Sequence, residues 1–121
     1  MTAGDAGLAV QTEQHGDRTV LTATGTMEYW TSDPLRIALQ SVLAGAGRPL
    51  VVLDLHLVEM VDSSGLALLI AADGWTRDRG GWLRVACASE QLRRAIGATN
   101  LDRRLRLYPT VAAAVAGSGA E

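Results

Sequence analysis

Asp62-Ser63-Ser64-Gly65 places a carboxylate and two hydroxyls directly before a strongly apolar run, Leu66 to Ala72. If that run is a helix, its first turn presents amide N–H groups with no internal partner, at the positive end of the dipole. Asp62 or Ser63 can cap those amides. A phosphate carried by a serine at this point would be stabilised by the same groups. Gly65 leaves out a side chain close to the hydroxyls, so that another protein's backbone or a nucleotide could come near. The same four residues also read as a plain helix N-cap, and spacing alone does not choose Ser63 over Ser64.

Other reactive side chains are few. His15 and His56 have no second ligand at metal spacing, and no metal or cofactor is expected. Cys87 is the only cysteine, so it cannot form an internal disulfide, and it reads as a small buried hydrophobe. A serine-hydrolase elbow needs glycine two residues before its nucleophile, where Val61 stands before Ser63. A phosphate-accepting aspartate at Asp54 would need an acidic pair after the first strand and a late lysine. The chain has no lysine at all. No catalytic residue is assigned, and the chain is not expected to be an enzyme.

These residues need a frame. Leu8 to Gln14 alternates Leu8, Val10 and Thr12 against Ala9, Gln11 and Glu13, a half-buried strand. His15-Gly16-Asp17 is a turn, and Thr19 to Gly25 is the returning strand of an antiparallel hairpin. Thr31-Ser32-Asp33-Pro34 predicts a capped helix start, followed by Leu35, Leu39, Val42 and Leu43 at helical spacing. Leu50 to Leu55 reads as a strand buried on both faces, and residues 56–61 as a loop leading into the tetrad. The helix after Ser63 runs to about Arg79, where Gly80-Gly81 breaks it. Trp82 to Cys87 is a strand; Ser89 caps a helix with Leu92 and Ile96 inward; Leu105 to Tyr108 is a last strand; Pro109 opens an alanine-rich helix.

Strands alternating with helices predict one α/β domain with a mixed, mostly parallel sheet and about four helices. The expected domain covers residues 8–116, between flexible ends at 1–7 and 117–121. Trp30 beside a loop reads equally as a core residue or an interface anchor; Trp75 and Trp82 read as packing residues. A net charge of −2 gives no drive toward nucleic acid, and the arginines of the C-terminal region, Arg93, Arg94, Arg103, Arg104 and Arg106, read as solvated surface. The longest apolar run is far below the ~20 residues of a spanning helix. With no signal-peptide pattern, the expectation is a cytoplasmic protein without membrane insertion.

The run LVVLDLHLVEMVDSSGLALLIAA resembles the central segment of the STAS-domain family, the bacterial anti-sigma-factor antagonists. Val58, Met60 and Val61 stand where the apolar residues before the tetrad are expected. Gly25-Thr26-Met27-Glu28 with Thr31 and Pro34 resembles the entry to the first helix, and LDRRLRLYPTVAAAVA the closing strand and helix. The resemblance implies a partner switch. Ser63 would be phosphorylated by an anti-sigma factor that is also a serine kinase, and a serine phosphatase would reverse it. Unphosphorylated, the chain would bind the anti-sigma factor and free the sigma factor. The partner surface would include Asp62, Ser63, Ser64, Gly65, Glu28 and Trp30, on a monomer or weak dimer. Met27-Glu28 replaces the family's usual Leu-Asp pair, and Tyr29 and Trp30 replace residues that are commonly small or aliphatic. The alternative is a STAS-type subunit of a transport or stress-sensing complex without a working phosphoswitch.

Overall fold

A computed structural model describes residues 7–45, 47–98 and 105–117. The flexible ends expected at 1–7 and 117–121 lie outside these residues except for Gly7 and Gly117, as do Arg103 and Arg104. The elements run β1 (Leu8–His15), β2 (Arg18–Met27), α1 (Asp33–Leu43), β3 (Leu50–Val61), α2 (Ser63–Asp78), β4 (Trp82–Ala86), α3 (Glu90–Ala98), β5 (Arg106–Tyr108) and α4 (Val111–Ala116). The strands form one sheet in the order β1-β2-β3-β4-β5, antiparallel between β1 and β2 and parallel across every later pair.

Alternation along the strands sorts the sheet into two unequal faces. Leu21, Leu53, Val85 and Leu107 point to one side and pack with Leu35 and Leu39 of α1, Leu69 and Ala72 of α2, and Leu92 and Ile96 of α3. Val20, Val52, Ala86 and Tyr108 point to the other, where the covering helix is α4, seated through Ala114. Leu53 and Val52 are both fully buried, which is why Leu50 to Leu55 reads as a continuous apolar run. β1 is an edge strand, and burial fades along it. Leu8 is buried, Val10 is intermediate, and Thr12 is exposed.

The segment expected to be a loop, residues 56–61, is instead the second half of β3. It pairs with β2 as far as Met27↔Val61, through two register shifts. Between Thr22↔Asp54 and Thr24↔Leu57, β3 carries one extra residue; between Gly25↔Val58 and Thr26↔Met60, Glu59 is a second extra. Each bulge resets the inward-outward alternation, so the period of two that marks a strand is absent from the sequence. The long β3 carries the chain directly into the tetrad.

Within β3, Asp54 is buried at 4% exposure. Both its oxygens lie 2.8 Å from His56 Nδ1, and its Oδ1 accepts the His56 backbone N–H at 3.1 Å. This closes Asp54 off as a phosphate acceptor. Cys87 is only half-buried and sits at φ 60°, in the left-handed region. Burial, and then the Asp54 carboxylate, push its thiol above the usual range, so it stays protonated.

A six-residue helix such as α4 is unstable alone, so its seat must hold it. Two arginines from the sheet do so. Arg84 Nη1 donates to Ala114 O at 2.8 Å and Arg18 Nε to Val115 O at 3.0 Å, both carbonyls near the negative end of α4. The Arg84 guanidinium lies 3.6 Å over the Trp82 ring. Burial lowers the Arg84 pKa from its ordinary value, with Tyr108 opposing the shift. Arg84→Ala removes the charged donor and exposes the Trp82 face. Urea denaturation is expected to show a loss of about 1.5–3 kcal/mol, the scale of one hydrogen bond to a charged group.

Candidate functional site

The tetrad lies where β3 turns into α2, at the carboxyl end of the parallel strands, the edge at which ligand sites of open α/β sheets gather. Asp62 is the N-cap, with extended backbone, and its Oδ1 accepts the Gly65 N–H at 2.9 Å. The sequence allowed Asp62 or Ser63 in this role; the carboxylate takes it. Both serines are thereby released. Ser63 is exposed and Ser64 intermediate, and neither hydroxyl is hydrogen-bonded to another described residue.

Gly65 has a different reason from the one its position suggests. It is buried, and a Cβ there would come 2.5 Å from Met27 O and 2.7 Å from Val61 Cγ1. The space the missing side chain leaves is filled by this chain's own β2 and β3, not by a partner. This contact lets α2 start against the end of β2, where the Asp62 N–H donates to Met27 O at 3.1 Å. The expectation of Gly65 on the partner surface is therefore corrected: it positions that surface from beneath.

Residues 28–32 form a hydrogen-bonded turn between β2 and α1. Thr31 Oγ1 accepts the Glu28 N–H at 2.8 Å and donates to Thr26 O at 2.7 Å. Ser32 Oγ donates to Glu28 O at 2.7 Å, and the Thr31 N–H reaches the same carbonyl at 3.1 Å. Thr31 and Ser32 are capping residue types, but Ser32 makes no side-chain cap and both hydroxyls close the turn instead. Pro34 still opens α1 where no amide is needed.

The turn holds Tyr29 and Trp30 outward at 77% and 75% exposure. Of the two readings of Trp30, core residue is excluded. Trp75 and Trp82 are partly buried against the main core and the second cluster respectively. The Tyr29 N–H donates to Asp62 Oδ2 at 3.3 Å, so one carboxylate ties the turn to the start of α2. Between the two elements lies a cavity of about 410 Å³, lined by Tyr29, Trp30, Ser32, Asp33, Arg36 and Ser64. Arg36 Nη1 is paired with Asp33 Oδ1 at 2.7 Å. The structure thus brings Glu28, Trp30, Asp62, Ser63 and Ser64 to one end of the sheet. Tyr29 joins Trp30 as a second exposed aromatic of the turn, a placement that no sequence periodicity signals.

The family model described as "Mlab, STAS domain" matches residues 10–109. An anti-sigma factor antagonist from Mycobacterium paratuberculosis is 30% identical; the match covers 97% of each chain, with a TM-score of 0.82. The chain belongs to the STAS-domain family of anti-sigma-factor antagonists. Two further matches share the fold of this STAS domain. A putative antagonist from Thermotoga maritima is 20% identical over 89% of this chain and 92% of that one, with a TM-score of 0.81. The Bacillus cell fate determinant SpoIIAA, in its phosphorylated form, is 17% identical over 90% and 98%, with a TM-score of 0.69.

Within the described residues of this STAS domain, no group of three potential metal ligands comes together, and no helix is long and apolar enough to cross a membrane. His15 lies beside Glu13, and His56 beside Asp54.

Two substitutions test the junction. Gly65→Ala drives a methyl into the Met27 carbonyl and is expected to cost about 1–3 kcal/mol by the usual overpacking scale. Asp62→Ala removes the cap and the tie to Tyr29, and is expected to cost about 1 kcal/mol. Both are read by chemical denaturation, and the smaller effect belongs to Asp62.

Proposed function

We propose that the chain is a phosphorylation-controlled antagonist: unmodified, it binds an anti-sigma factor that is also a serine kinase and so frees the sigma factor; phosphorylated on Ser63, it lets go. The observation that carries this reading is the free, exposed Ser63 hydroxyl at the start of α2, left unbonded because Asp62 performs the capping. Family membership supports the class of partner, and the phosphorylated form of SpoIIAA is a relative of the same fold in that state.

The kinase would transfer the γ-phosphoryl group of ATP to Ser63 Oγ, releasing ADP and the hydroxyl proton. A serine phosphatase would hydrolyse the ester with water to return the hydroxyl and inorganic phosphate. The chain supplies no catalytic group to either step. It is the substrate of both and the ligand of the anti-sigma factor.

Inside the domain the new dianion is tolerated, because the N–H groups of the first turn and the helix dipole face it. At a protein contact the balance reverses. Asp62 adjoins Ser63, and Glu28 belongs to the turn that Asp62 holds. A charge of roughly −1.5 to −2 that must be buried there without a partner costs several kcal/mol. Moving a binding equilibrium from 99:1 to 1:99 takes about 5.5 kcal/mol of differential affinity. A local electrostatic and steric block therefore suffices, with no change of fold. Partner contact through Asp62, Ser63, Ser64, Glu28 and Trp30 belongs to the same reading.

The test is titration of the purified anti-sigma factor kinase with variants of this chain. Ser63→Ala is expected to bind as the unmodified chain does and to accept no phosphate. Ser63→Asp is expected to weaken binding at least tenfold, since one charge mimics only part of a dianion. A Ser63→Asp chain that binds as tightly as wild type contradicts the block. Recovery of transporter subunits from cell extract in place of such a kinase favours the transport-complex reading.

A further inference from the structure

The Tyr29–Trp30 tip combines three properties that packing alone does not require. Two large aromatic side chains stand mostly in solvent. Their turn is braced from below by the hydrogen bonds of Thr31 and Ser32, so the rings stand on a hydrogen-bonded base. Rigid exposed aromatics lose little freedom on docking and are enriched among the residues that dominate binding energy. The tip is also electrically one-sided: Glu28, Asp33 and Asp62 surround it, against the single guanidinium of Arg36, which is already paired with Asp33.

Beyond the Thr31 N–H to Glu28 O bond that closes the turn, one bond ties the tip to α2. Thr31 and Ser32 hold the base of the turn, whereas the Tyr29 N–H reaches only Asp62 Oδ2, at 3.3 Å. Asp62 is the residue directly before Ser63. Its other oxygen is committed to Gly65 N–H at 2.9 Å, a shorter bond at a helix start. A dianion on Ser63 repels the Asp62 carboxylate, and the weaker of its two bonds yields first.

We propose that the Tyr29–Trp30 tip anchors a partner protein that offers an apolar pocket rimmed by basic side chains, and that Asp62 holds this tip in place until a phosphate on Ser63 loosens it. This rests on the phosphoswitch reading above and extends it. The phosphate then acts twice, by placing charge at the contact and by freeing the aromatic anchor beside it. Asp62 is a positioning residue in this scheme, and the aromatic pair sets which partner is taken.

The experiment uses the full-length ¹⁵N-labelled chain, unmodified, with genetically encoded phosphoserine at position 63, and as Asp62→Asn. The Asn keeps an oxygen for Gly65 N–H while turning a donor toward Tyr29 N–H. Backbone order parameters at Tyr29 and Trp30 are expected to fall from about 0.85 to below about 0.6 in both altered chains, with Thr31 and Ser32 unchanged. Equal values at Tyr29 in the phosphorylated and unmodified chains overturn the coupling. In parallel, Trp30→Ala and Tyr29→Ala, both surface changes, are titrated against the anti-sigma factor kinase. Trp30→Ala is expected to bind at least a hundredfold more weakly, and binding at wild-type affinity overturns the anchor. If the unmodified wild-type chain itself fails to bind the kinase, the functional reading fails, while the order parameters still decide the coupling on their own.

Discussion

The Asp62 carboxylate is the joint on which this molecule turns. One oxygen closes the first turn of α2 on Gly65 and the other reaches the Tyr29 amide of the turn before α1, while the Asp62 N–H binds Met27 O at the end of β2. Two stretches of chain far apart in sequence, residues 27–29 and the start of α2, meet at one residue. The meeting is possible because Gly65 has no side chain to strike the Met27 carbonyl. A carboxylate in the capping role leaves the two neighbouring serines without structural duty, and that freedom is what a modifying enzyme requires.

The rest of the fold serves to hold this joint at the molecule's edge. The sequential sheet order, with α1, α2 and α3 over one face, brings the start of α2 beside the start of α1. β3 projects well beyond its pairing with β4, since β4 meets only Leu50 to Asp54, while β2 accompanies β3 to Val61. That projection lifts the tetrad clear of the sheet's centre. Opposite, α4 is clamped by Arg84 and Arg18, which keeps the second face covered away from the start of α2.

Much of this architecture was legible in the residues. The β-α alternation, the hairpin turn at Gly16, and the Ser89 cap, now seen in the 3.0 Å bond from Leu92 N–H to Ser89 Oγ, all follow from local chemistry. Gly80-Gly81 signals the helix break, and Gly81 has a further reason: a Cβ there would meet Pro49 O at 1.9 Å. What stayed hidden depends on contacts between distant residues. The two bulges erased the strand signal over residues 56–61. Gly65 looked like an opening for a partner because the close approach of Met27 is tertiary. Thr31 and Ser32 are good capping types, and only the fold of the turn shows their hydroxyls spent on Thr26 and Glu28. The choice between Asp62 and Ser63 as cap likewise waited on geometry.

The proposed switch needs Ser63 as the phosphate acceptor: capping by Asp62 frees both serines, and Ser63 is the more exposed of the two. The most direct measurement is tandem mass spectrometry of the protein recovered from its native cell, with fragmentation that separates adjacent serines. A single phosphate mapped to Ser63, with Ser64 unmodified, is the expected result. A phosphate found on Ser64 alone, or on neither residue under conditions that activate and silence the sigma factor, contradicts the account.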